Sequence, residues 1–141
     1  MISIHSKIDN DILLSIMRKN EIQEKRQELS PEKEYLQAGA KKLSVNDYFK
    51  PHRHLECSKT AKITQEAWVI LDGKVKGSFY DLDNSLIYET VLENGDCVVI
   101  FRGGHALRNL TKDTLMYEFK TGPYFGPEKD KEFIGEEDGK N

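Results

Sequence analysis

The chain has 141 residues, a net charge of −3 with histidine neutral, 38% hydrophobic and 32% charged residues. That length suits one domain with one core, large enough to fold without staples. The mild acidity gives nothing to draw the protein to nucleic acid or anionic lipid, and no apolar run approaches the ~20 residues of a membrane-spanning helix.

The opening "MISIHSKIDND" lacks the basic start, apolar middle and small-residue cleavage site of a signal peptide. His5 within it reads as a solvated residue. "ILLSIMRK" (Ile12–Lys19) suits either a short helix face or a buried strand. It carries more apolar surface than a free arm should show, so residues 1–33 read as an N-terminal extension packed on the domain or on a second copy. In "SPEKEYL", Ser30 is placed to cap, Pro31 takes the first helical position, and Glu32 and Glu34 follow, which predicts a short helix.

From Gln37 onward strand signals dominate. The stretch from Glu66 to Leu110 contains four short β-rich runs broken at Asp72-Gly73, Asp83-Asn84, Asn94-Gly95 and Gly103-Gly104. "TLMYEFKTGPY" adds a last strand that ends at Gly122-Pro123. Short strands with regular turns predict an all-β sandwich or barrel over residues 34–125. Residues 126–141 form a charged tail, expected to be mobile except where Phe133 and Ile134 dock. Cys57 and Cys97 make no disulfide framework and read as ordinary thiols, with a reduced, cytoplasmic setting expected.

The histidines carry the chemistry. Two of the four, His52 and His54, are two residues apart, and on a strand they would share a face. An antiparallel hairpin between the strand from Pro51 and the strand from Gln65 would set His54 opposite Glu66 and His52 opposite Trp68, with facing Cβ atoms about 5 Å apart. Glu56 and Thr64 would then extend the same column as a polar lip. His105, after Gly103-Gly104, is a fourth candidate. Three imidazoles and a carboxylate suit a borderline divalent transition metal (Fe, Mn, Ni or Zn) better than calcium or magnesium.

Here the sequence resembles the cupin superfamily. His52-x-His54, then Glu66 and Gly73, resembles its first motif; Gly95-Asp96, Gly103-Gly104-His105 and Asn109 resemble its second. The resemblance spans roughly Gln37 to Tyr124. It implies a single-domain double-stranded β-helix, or jelly-roll barrel, whose mouth holds a metal on His52, His54, Glu66 and His105. The long insert from Leu55 to Gln65, "TQE", "GGH" and a terminal "K-x-GPY" are similar to a group of small bacterial cupins, several of which accompany sugar-nucleotide or surface-polysaccharide genes. Barrels of this class commonly pair, so a homodimer is expected.

Other residues are weighed against plainer roles. Trp68, Ile70, Val99 and Phe101 read as wall packing, with Trp68 the best aromatic candidate for the pocket. Arg102 and Arg108 read as surface residues. Glu118 and Lys120 share a face in the last strand, opposite Leu115, Tyr117 and Phe119. Those apolar residues would ordinarily claim the core. The sharper reading has Glu118 or Lys120 line the pocket, with the lysine pKa lowered so that it serves as a base. Glu66, Glu118 and Lys120 are then the catalytic candidates. Three functions remain open: a metal-dependent isomerase or dioxygenase acting on a small polar metabolite such as a sugar or sugar nucleotide; a non-catalytic module that binds a metal or small molecule; and a metal-free sugar-nucleotide isomerase or epimerase with a pocket histidine as base.

Overall fold

A computed structural model describes residues 1–135. It is all-β apart from a 3-10 turn at Lys19–Glu21 and a four-residue helix, α1 (Pro127–Asp130). The strands are β1 (Ile2–His5), β2 (Ile12–Met17), β3 (Gln27–Glu28), β4 (Gly39–Ala40), β5 (Glu66–Asp72), β6 (Lys74–Tyr80), β7 (Leu86–Glu93), β8 (Cys97–Ile100), β9 (Gly104–Asn109) and β10 (Leu115–Lys120). The region read as four β-rich runs holds five strands, β5 to β9.

They form a five-stranded sheet in the order β1-β2-β8-β5-β10, a three-stranded sheet β7-β6-β9, and the small ribbon β3-β4, with every pairing antiparallel. The two larger sheets face each other without closing into a barrel. The chain passes from one sheet to the other at Gly73, at Gly95, at Gly103 and again between Asn109 and Leu115. Three of these crossings use a glycine at φ between 78° and 84°, a left-handed conformation that costs a glycine little and other residues more.

Strand alternation fills the space between the sheets. Leu13, Leu14, Ile16, Trp68, Ile70, Val98 and Ile100 from the larger sheet meet Val75, Phe79 and Leu92 from the smaller one. The outer face of the larger sheet is apolar too, through Ile12, Met17, Ala67, Val99 and Phe101. The segment around Leu29 covers it, helped by Ile22, Leu36, Ala38 and Ala40. Buried Gln65 pins this cover: its Oε1 accepts from Leu36 N at 2.8 Å and its Nε2 donates to Glu34 at 2.6 Å. Residues 31–36 form turns rather than the expected helix, because a helix there would wind the backbone away from the sheet it has to cover.

"ILLSIM" is a strand, buried at all six positions. It pairs with β8 inside the sheet, so its apolar excess is used on both faces. Arg18, at its end, ties the sheets together. Its guanidinium donates to Asp96 Oδ2 at 2.5 Å, Val91 O at 2.7 Å and Thr90 Oγ1 at 2.7 Å. Asp96 also accepts from the N–H groups of Lys19 and Glu93. Arg102 is held by Asp9 through two hydrogen bonds at 2.8 and 3.0 Å. Cys97 lies in the covered face, where burial and then the nearby Asp96 push its thiol up to about 11; Cys57 is exposed. In the tail, Ile134 packs on Gly104, whereas Phe133 is 85% exposed and does not dock.

Two substitutions test this account. Asp96→Ala leaves Arg18 and two backbone N–H groups without their acceptor, and should lower the unfolding free energy in urea by about 3 kcal/mol. Ser15 carries the one buried side-chain polar atom with no hydrogen-bond partner among the described residues. Ser15→Ala should therefore leave the urea midpoint unchanged or raise stability by up to ~1 kcal/mol.

Candidate functional site

Glu66 opens β5 and faces the space between the sheets with Trp68 and Ile70, because residues two apart on a strand share a face. Both edges of β5 are occupied. Glu66 lies between Ile100 of β8 and Lys120 of β10, and Trp68 between Val98 and Glu118. From the opposite sheet, His105 pairs with inward-facing Phe79 and so points the same way. Gly103 makes this approach possible: a side chain there would run into the Tyr80 carbonyl.

These residues converge at the open side of the sandwich, where β9 and β10 are the edges of their sheets. Glu66 is 6% exposed. Trp68 Nε1 donates to its Oε1. Lys120 Nζ lies 3.2 Å from its Oε2, and His105 Nε2 lies 3.7 Å from the same oxygen. The Trp68 and His105 rings meet edge to face, with centroids 5.3 Å apart. The Lys120 ammonium also lies 3.4 Å from Glu118 and 3.8 Å from Asp130. Asp130 comes from α1, and its Oδ1 accepts from Thr64 Oγ1 at 2.5 Å.

The electrostatics follow from this packing. Burial alone would raise the Glu66 pKa. His105, the Trp68 N–H and the Lys120 charge outweigh it and hold the carboxyl below the usual range, so Glu66 stays ionised. Lys120 departs from the expected lowered pKa. Partial burial pulls its pKa down, but Glu66 and then Glu118 pull harder and raise it. A lysine among carboxylates keeps its proton, so Lys120 serves as a fixed cation and not as a base.

Of the expected metal ligands, only Glu66 and His105 meet. His52 and His54 lie in a stretch with no strand, both exposed, their rings edge to face at 5.7 Å. The expected hairpin does not form, because β8 and β10 already take the two edges of β5 on which a strand from Pro51 would have to pair. Glu56 is exposed in the same stretch, while Thr64 reaches Asp130 instead of a lip. Among the described residues, no group of three or more His, Cys, Asp or Glu side chains is arranged to hold a metal ion. The four residues as placed therefore do not fit a shared ion, and Lys120 holds the cationic position beside Glu66.

Glu118 is half exposed at the mouth, 51% by side chain. Tyr117 and Phe119 face outward. Asp130 was not anticipated from the sequence. Its only signal was Gly126-Pro127, a helix start within a segment otherwise read as a mobile tail. Comparisons with family models, with curated proteins and with solved structures return no match, so the site stands on its own geometry.

A carboxyl whose folded pKa is depressed contributes stability that is complete above its unfolded value and is lost as pH falls through the folded one. Glu66 should thus contribute to acid unfolding as pH falls from 4.5 towards about 2. The urea midpoint of Glu66→Gln should fall less steeply over this range than that of the wild type. Parallel curves would show that Glu66 is not held as an anion.

Proposed function

We propose that the chain is a cupin-like jelly roll that binds a small polar metabolite at the mouth between β9 and β10, and that it acts by metal-free proton transfer in the manner of an isomerase or epimerase. The observation that carries this reading is the buried, ionised Glu66 with His105 and Lys120 on one of its oxygens. The repeated passage of the chain between two sheets and the Gly-Gly-His105 sequence support the jelly-roll assignment.

The roles divide by chemistry. With Nε2 turned to Glu66, His105 has Nδ1 left for a ligand, so it is the base that removes a proton from carbon next to a carbonyl. The C–H electron pair becomes the C=C bond of an enediolate, and the carbonyl oxygen takes the negative charge. The Lys120 ammonium stabilises that oxygen. Isomerisation is completed when His105 returns the proton to the neighbouring carbon while the hydroxyl proton passes from the second oxygen to the first, and epimerisation when a proton from solvent reaches the opposite face. Glu66 positions the imidazole.

Charge narrows the ligand. Three carboxylates, of Glu66, Glu118 and Asp130, surround the one ammonium of Lys120. That field favours an uncharged sugar over a nucleotide sugar carrying a diphosphate.

The test is hydrogen exchange in D2O, followed by NMR, over a panel of aldoses, ketoses and nucleotide sugars. The expected result is deuterium beside the carbonyl of an uncharged sugar, abolished by His105→Ala and reduced at least ~100-fold by Lys120→Met, with circular dichroism unchanged. Binding without exchange would favour the binding module, and exchange that survives His105→Ala would overturn the assignment. A second reading rests on the meeting of Glu66 and His105, two of the four expected ligands. In it, residues 50–63 fold over the mouth and a metal-dependent enzyme results. Stoichiometric metal in protein purified without chelator, lost in both His52→Ala and His105→Ala, would establish it in place of the first.

A further inference from the structure

β10 is an edge strand with an unusual outward face. Leu115, Tyr117 and Phe119 project from it and are 61%, 59% and 52% exposed. Next to them the same outer face is covered over Ala67 and Val99 by the segment around Leu29. The cover stops before β10. About 300 Å² of contiguous apolar side chain is left open, as much as an entire monomer usually shows in its largest patch. The backbone edge is open as well, since no strand pairs with the far side of β10 among the described residues.

The direction of that free edge can be read. Thr121 N donates to Gln65 O on the β5 side. In an antiparallel strand alternate residues turn both backbone groups the same way, so Phe119 and Tyr117 also face β5, while Met116, Glu118 and Lys120 turn theirs outward. A six-residue edge with unpaired backbone groups and one apolar face can template another strand, and its two inward charges admit only a partner strand that complements them.

We infer that β10 pairs with β10 of a second copy, antiparallel about a two-fold axis through Phe119. Charge selects the register. With Phe119 on the axis, Glu118 lies directly opposite Lys120 of the second copy, twice over, and Tyr117 lies opposite Thr121. An axis at Glu118 would set two carboxylates face to face. An axis at Tyr117 would leave both charges opposite uncharged residues, Glu118 against Met116 and Lys120 against Thr114. Around Phe119, the outward backbone groups of Glu118 and Lys120 close the ladder with those of the second copy, and the two Phe119 rings meet in a non-hydrogen-bonded pair with Cα atoms about 4.5 Å apart. The larger sheets join into one. Glu118 and Lys120 lie on the inner face, so each copy adds a carboxylate beside the other's Lys120 at the mouth of the site.

The test reads mass and needs no ligand, so it stands apart from the proposed activity. Wild-type chain should sediment as a dimer, and Phe119→Lys as a monomer with unchanged circular dichroism. Glu118→Lys should weaken the dimer at least ~10-fold and the double change Glu118→Lys with Lys120→Glu should restore it. In a Cys57→Ser background, Phe119→Cys should give a covalent dimer on mild oxidation, and Tyr117→Cys should not. A wild-type monomer at all concentrations, a dimer that survives Phe119→Lys, or cross-linking through Tyr117→Cys in place of Phe119→Cys would each overturn the inference.

Discussion

The Arg18–Asp96 pair holds the two sheets at a fixed separation. Arg18 directly follows β2 of the larger sheet, and its guanidinium reaches Thr90 and Val91 on β7 in the smaller one. Asp96 sits in the turn that carries the chain from β7 to β8, where it collects that guanidinium and two backbone N–H groups. A planar guanidinium with several donors can bridge the sheets in this way, whereas a lysine could not serve three acceptors at once with the same geometry. Away from that pair, at the edges formed by β9 and β10, the space between the sheets is lined by His105, Glu66 and Lys120.

Placing Glu66 in that gap has consequences for everything near it. A buried carboxylate is unfavourable unless it is paired and hydrogen-bonded. Each partner is therefore a fixed part of the site: the Trp68 N–H on the same strand, Lys120 on the adjacent strand, and His105 across the gap. The same need turns Lys120 inward, and strand alternation then turns Tyr117 and Phe119 outward. The exposed aromatic face of β10 is thus the structural counterpart of the charged inner face, and it follows from a single choice of which side of the strand meets Glu66.

The conformation of the stretch carrying His52 and His54 is decided by strands far from it in sequence. Two histidines at strand spacing before an apolar run are consistent with a hairpin, and nothing local contradicts it. Whether such a strand forms depends on whether β5 has a free edge. β8 and β10 take those edges from positions more than twenty-five residues downstream. The role of Lys120 turned on the same point, because its protonation depends on which carboxylates lie around it and not on its neighbours in sequence.

By itself the sequence determined an all-β chain, the turn positions from Gly73 to Gly103, and the last strand before Gly122-Pro123, while it left open which face of that last strand turns towards Glu66. These are local matters: glycine's access to left-handed backbone, and the two-residue period that assigns each side chain to a face. Only the tertiary structure decided that "ILLSIM" is a central strand, that residues 31–36 cover a sheet without a helix, that Asp130 joins the site, and that His52 and His54 stand apart from Glu66. Those outcomes depend on strand partners and on charges brought together from distant parts of the chain, and a sequence specifies them only through the energy of the whole fold.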